Sequence, residues 1–337
     1  MSNQTDYCAV TTDDFDSRLT SVHQAALMGN VQILRMLIQT GANVNVQDNK
    51  GMTPLHYAAW QSTPEVASLL LQNGARADAC NQDGCTPLHV ACQYGQNDLV
   101  SLLLYYRADP LVRNSKTGSS PFDLACEYGR IRAVELLLDF IQRQQQNSNN
   151  CMQAQGFSQF LLPPIMDNEF HGSNGNHNSG ESLTAKRHHR SQHLQHHKTP
   201  CSPLNLAAKN GHVDVLLTLL DRASLDVNRM DPGSGGNTAL HEAAAHLRSD
   251  AVQFLLHAGA DCQLVNDANQ TPLDLLKKIA PKNDPAAQKI KNLLKEASTA
   301  VYGKAINDYR AQNEQELTFS FGDIIWRIES FLKRFQD

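Results

Sequence analysis

The chain has 337 residues, enough for two ordinary domains or one long repeat array; charged residues are 19% and the formal net charge is -5, so its overall balance does not call for nucleic acid or an acidic membrane surface as the main partner. No run approaches the ~18 apolar residues of a membrane-spanning helix. The polar, acidic opening MSNQTDYCAVTTDDFD has neither the basic region nor the apolar core of a secretory signal, so the expected location is the cytoplasm or nucleus.

Residues 1–16 are expected to be a disordered N-terminal segment. A motif then begins to recur. TSVHQAA (20–26) is followed by TPLHYAA (53–59), TPLHVAC (86–92), SPFDLAC (120–126), SPLNLAA (202–208), TALHEAA (238–244) and TPLDLLK (271–277). The first positions are spaced by 33, 33, 34, 82, 36 and 33 residues. A 33-residue period carrying T-P-L-H-x-A is the ankyrin signature. The predicted fold is therefore all-α, an ankyrin-repeat solenoid, with repeats 1–4 over 17–141 and repeats 5–6 plus a degenerate seventh over 200–297.

The physical chemistry of one unit agrees with this. Thr53 suits a helix N-cap and Pro54 the first helical position, where a missing N–H costs nothing. Leu55, Ala58 and Ala59 give one helix a small apolar face against which a neighbour can stack. Glu65, Val66, Leu69 and Leu70 pattern a second amphipathic helix, and Gly74 is placed to end it in a left-handed cap. Asn45 and Asp48-Asn49-Lys50-Gly51 suit the hairpin that leads into the next unit. The histidines of the motif, His56, His89 and His241, recur one per repeat rather than converging, which predicts hydrogen-bonded structural residues, not metal ligands. Ser62 and Leu247 stand where the other turns carry Gly29, Gly95, Gly129 or Gly211, and Arg107 replaces a C-cap glycine. Repeats two and six are predicted to be locally soft.

The 82-residue spacing is one period plus 49 residues. The excess, 142–199, is polar and low in complexity and is expected to be a disordered insertion. It holds seven of the 14 histidines. His193, His196 and His197 with Cys201 have no evident frame to fix a coordination geometry; the expectation is no metal and no cofactor. Lys186-Arg187-His188-His189-Arg190 reads either as a solvated linker or as a nuclear-import or anion-binding patch. The apolar island Phe160-Leu161-Leu162-Pro163-Pro164-Ile165 reads either as a docking peptide or as a segment packed on the solenoid. None of the eight cysteines has C-x-x-C spacing; Cys92 and Cys126 take alanine positions of the repeat and are expected to be buried, reduced thiols.

A final helix is predicted around Lys289–Glu296. Beyond it, Ala305-Ile306-Asn307-Asp308-Tyr309, Glu316-Leu317-Thr318-Phe319 and Gly322-Asp323-Ile324-Ile325 resemble the opening of a Src-homology-3 domain. The segment 298–337 is too short for the remaining strands, so a truncated module is expected, one that does not bind proline-rich peptides. This order of modules, together with DNKGMTPLHYAAWQ (48–61), DLACEYGR (123–130), PLNLAAKNGHVDV (203–215) and TALHEAA (238–244), resembles the caskin family. The resemblance implies a cytoplasmic adaptor scaffold in signalling or synaptic organisation, membrane-associated only through partners. It also implies that this chain is a short or truncated form.

Binding by such an array is expected at the hairpin tips and on the concave side of the first helices. The two residues after each small pair should point there: Leu27 and Met28, Trp60 and Gln61, Gln93 and Tyr94, Glu127 and Tyr128, Lys209 and Asn210, and Ala245 and His246. Trp60, Tyr94 and Tyr128 read either as an aromatic track for partners or as covers for neighbouring helices. The expected partners are other proteins, with no nucleic acid, no membrane insertion and no small-molecule substrate. With no HExxH, phosphate loop, GxSxG or kinase set, the chain is expected not to be an enzyme. A nuclear regulator that masks a transcription factor is the alternative.

Overall fold

The structure, a computed structural model, describes residues 19–148, 201–223, 225–281 and 284–300. Fourteen α-helices among these residues form seven antiparallel pairs. The first helices are α1 (Ser21–Leu27), α3 (Pro54–Gln61), α5 (Pro87–Tyr94), α7 (Pro121–Glu127), α9 (Pro203–Asn210), α11 (Ala239–Ala245) and α13 (Pro272–Ile279). The second helices are α2 (Val31–Gln39), α4 (Pro64–Gln72), α6 (Asn97–Tyr105), α8 (Ile131–Ser148), α10 (Val213–Arg222), α12 (Ser249–His257) and α14 (Pro285–Ala300). Each first helix packs on the next first helix, and each second on the next second, so two rows of helices run the length of the array. Among the described residues there is no strand, only an isolated bridge between Asp231 and Asn237.

The seven pairs are the six repeats and degenerate seventh expected from the spacing. The core follows from the small residues: Ala25-Ala26, Ala58-Ala59, Ala91-Cys92, Ala125-Cys126, Ala207-Ala208 and Ala243-Ala244 are buried between adjacent first helices. Small side chains permit the close stacking, and Leu70, Leu103, Leu137, Leu216 and Leu255, on the second helices, are fully buried. Cys92 and Cys126 are fully buried free thiols, as their alanine positions predicted, and burial raises both well above the ordinary thiol range.

The motif histidine ties consecutive repeats together. In repeat two, His56 Nε2 lies 2.9 Å from the carbonyl oxygen of Cys85, in repeat three. A carbonyl only accepts, so Nε2 carries the proton and Nδ1 is the acceptor. Nδ1 then receives the backbone N–H of Thr53 at 3.1 Å and the Thr53 hydroxyl at 2.8 Å. This is a capping box with histidine in the usual Glu or Gln position. His23, His89 and His241 repeat it, donating from Nε2 to Met52, Ser119 and Gln270 at 3.0, 3.2 and 2.9 Å. In repeat five Asn205 substitutes, its Nδ2 donating to Asn237 O at 2.9 Å.

Hairpin tips form a second set of links. The N–H of Gln82 donates to Lys50 O, that of Ser115 to Asp83 O, and that of Asp267 to Gly235 O, at 2.9, 2.9 and 3.1 Å. Gly84 shows why glycine recurs at a tip: φ is +75°, and a Cβ there would lie 2.6 Å from the Ser115 nitrogen.

Three expectations about glycine replacement hold: Ser62, Arg107 and Leu247 take left-handed φ values of 57°, 64° and 58°. The sequence reading missed a fourth, Asn269 at 56°. Two boundaries move. Helix α8 continues to Ser148, so residues 142–148, assigned to the insertion, are helical. Helix α14 begins at Pro285 and reaches Ala300, past both ends of the predicted 289–296. The repeats on either side of the insertion stack directly. Gln142 donates to Arg222 O at 3.3 Å, Arg222 pairs with Asp139, and His212 Nε2 donates to Glu127 O at 2.9 Å. The N-terminal segment, the rest of the insertion with its histidines and KRHHR patch, and the Src-homology-3-like segment from 301 lie outside the described residues.

Candidate protein-interaction face

The residues expected to contact partners all lie in the last turn of a first helix or at its cap. The local cause is the break that follows. A left-handed residue ends the helix, and the chain reverses into the second helix within two residues. At Gly129 (φ +67°) a Cβ would also meet the His212 ring at 2.6 Å, so the next repeat's side chain needs the open space. Arg130, His212 and Arg248, which follow these turns, each donate back to a first-helix carbonyl of the preceding described repeat: Gln93, Glu127 and Lys209, at 3.0, 2.9 and 3.0 Å. The last turns are thereby held at fixed spacing along one row.

Exposure separates the predicted residues. Met28 (78%), Gln61 and His246 are open to solvent. Leu27, Trp60, Tyr94, Glu127, Tyr128, Lys209, Asn210 and Ala245 are half-buried. Gln93 is the correction. It is 1% exposed, its Nε2 donates to Tyr128 Oη at 3.4 Å, and its Oε1 has no hydrogen-bond partner. Gln93 therefore supports the Tyr128 ring and presents nothing to a partner.

The aromatic residues also sit differently from a plain exposed strip. Trp60, Tyr94 and Tyr128 each pack partly on the hydrophobic core. Trp60 is the first residue after its small pair, whereas Tyr94 and Tyr128 are the second. One residue is ~100° around a helix, so the tryptophan is offset from the two tyrosines. They show both a covering role and an accessible edge.

Charge on this row is concentrated further along. Burial raises the Glu127 carboxyl above its ordinary range, opposed by the nearby Lys209 ammonium. Glu242, 8% exposed, accepts from Asn237 at 2.8 Å and lies 3.6 Å from His246. Cys201 is pushed up to about 11, chiefly by burial and then by Asp231 and Glu242. Among the described residues no three His, Cys, Asp or Glu side chains converge as a metal site would require, and no helix is long and apolar enough to cross a membrane.

The repeat geometry is matched by sequence comparison. The family described as "Ankyrin repeats (3 copies)" matches residues 59–150 and 172–266, more than half of the chain, and "Ankyrin repeats (many copies)" matches 22–71. The chain belongs to the ankyrin-repeat family. Among curated relatives, Caskin-2 of Homo sapiens is 34% identical over 138 residues, 39% of this chain and 11% of Caskin-2. Zinc finger CCCH domain-containing protein 24 of Oryza sativa subsp. japonica is 40% identical over 96 residues, 28% of this chain and 12% of that protein. The chain thus spans about a tenth of the length of these relatives. Among solved structures, the human ASB11 ankyrin repeat domain aligns with a TM-score of 0.56 and 23% identity, over 82% of this chain and 98% of that one. The ankyrin repeat domain of Bcl-3 aligns with a TM-score of 0.53 and 21% identity, over 82% and 99%. At these identities the likeness is one of fold.

Proposed function

We propose that the chain is a non-enzymatic cytoplasmic scaffold that binds partner proteins along the last turns of its first helices and at the hairpin tips. Ankyrin repeats are in general protein-interaction modules, which supports a binding role. The observation that carries the particular face is the set of partly buried rings at Trp60, Tyr94 and Tyr128 on three successive repeats. Aromatic side chains with one buried edge are held at low entropic cost and are favoured interface anchors. The caskin resemblance, with Caskin-2 matched over 138 residues of the chain, supports an adaptor in signalling or synaptic organisation. The nuclear alternative depends on the basic patch Lys186–Arg190, and no described contact favours it.

The test compares two substitutions in the full chain. Trp60→Ala should cost about 1–2 kcal/mol, since its ring packs partly on the core, and should strip captured proteins from the chain in an affinity pull-down. Leu70→Ala, at 0% exposure, should cost ~2–5 kcal/mol of stability. Retention of every captured protein by folded Trp60→Ala and Tyr94→Ala chains would mean the face is misplaced.

A further inference from the structure

The second-helix row carries a groove that the scaffold reading does not use. It lies between α6 and α8 and has a volume of about 450 Å³. Its floor is Leu104, Leu136 and Phe140, and its rim holds Tyr105, Arg107 and Arg143. Tyr105 is 79% exposed, the most exposed of the large apolar side chains among the described residues. Its ring is braced edge-on by Tyr106, with centroids 5.5 Å apart. An amphipathic second helix needs no ring on its outer side, so stacking of the repeats does not explain this one.

Arg107 is the second observation. It occupies the left-handed position that follows the second helix, with φ 64°, where three other repeats have Gly41, Gly74 and Gly259 at 85°, 85° and 90°. A side chain there strains the backbone, and such strain persists where something else selects for the residue. Here the side chain lines the groove. Neither the Arg107 nor the Arg143 guanidinium has an ion pair or hydrogen bond among the described residues. The carboxylate in the lining, Asp139, is already paired with Arg222. Among the described residues, the groove therefore offers two guanidiniums without a carboxylate partner about an apolar floor.

We infer that this groove is a second docking site, for a short acidic segment of another protein bearing a large apolar side chain. The apolar side chain lies on Leu104, Leu136 and Phe140 against Tyr105. Flanking carboxylates take the forked donors of Arg107 and Arg143. The site is on the opposite row from Trp60 and stands or falls independently of the face proposed above.

The experiment is selection of a random dodecapeptide display library on the immobilised full chain, followed by fluorescence-polarisation titration of the enriched peptides. Enriched sequences should carry at least two acidic residues beside Phe, Trp, Leu or Met. Binding should weaken about tenfold or more in the Arg107→Glu/Arg143→Glu double variant and fall with added salt. Arg107→Gly should weaken it about threefold while raising the thermal midpoint, because the strain goes with the side chain. Trp60→Ala should leave it unchanged. If the double variant does not fold, Tyr105→Ala takes its place. Enrichment of neutral or basic peptides, no enrichment at all, or binding indifferent to Arg107, Arg143 and Tyr105 would overturn the assignment. So would an oligouridylate that uses the two arginines when no acidic peptide is enriched.

Discussion

The motif histidine of repeats one, two, three and six shows how much one residue settles. With Nε2–H committed to the next repeat's carbonyl and Nδ1 to a threonine N–H, a second proton has no place to bind without breaking a bond. Burial adds to this and holds His56 and His89 down to about 4, from an ordinary value of 6.5. The unfolded chain therefore takes up protons first as pH falls. Stability should be full above pH 6.5 and be lost between 6.5 and about 4, with each of the two histidines contributing a slope of up to about 1.4 kcal/mol per pH unit. Urea titrations across this range should show the slope, and His56→Gln should flatten it. The left-handed residues permit a second prediction. Ser62 is exposed with φ 57°, so Ser62→Gly should raise stability by about 1 kcal/mol, read as a shift in the urea midpoint. Leu247→Gly should gain less, because Leu247 also packs on the core.

At the scale of the helix pair, the insertion is the informative feature. Asp139, Gln142 and Glu127 on one side meet Arg222 and His212 on the other, so repeats four and five stack as neighbours across 52 residues of intervening sequence that the structure does not describe (149–200). Closing a long loop is only slightly costlier than closing a short one, ~0.6 kcal/mol per doubling. Replacing 150–198 by a short Gly/Ser linker should keep the thermal midpoint within a few degrees. A deletion starting at 142, the boundary read from composition, should do worse, because it removes about two turns of α8 and the Gln142 bond. This error has a physical cause: QRQQQNS is polar enough for a linker, yet Gln and Arg are also good helix formers, and an existing helix extends more easily than a new one nucleates. Residues with a fixed role in the repeat were legible from spacing alone, including the caps, the stacking alanines, the structural histidines and three of the four strained turn residues. Gln93 was not, because its burial depends on Tyr128 in the next repeat, 35 residues away, and no local pattern records that contact. The groove at Tyr105 was missed for the same reason, since it needs α6 and α8 side by side.

Across the whole molecule, stability should be a sum of repeat terms and neighbour interfaces. Leu216→Ala, which truncates the buried side of α10, should speed amide exchange most in repeats four to six and least in repeat one; uniform acceleration would show a single all-or-none unit. The histidine links between repeats also have a direction. Each motif histidine reaches forward, from a buried ring to a backbone carbonyl about 29 residues later. Removal of the following repeat strands a buried histidine donor, whereas the donors that reach back to a preceding repeat, such as the Gln82 and Ser115 N–H groups, Arg130, His212 and Arg248, are exposed or half-buried and can turn to water. The array is thus cheaper to shorten from its front than from its back. On the ribosome, where the front emerges first, each of the four repeats that carry the motif histidine must wait for the next hairpin before that ring is satisfied, so at those repeats the folding boundary should trail the exit of the chain by one full repeat.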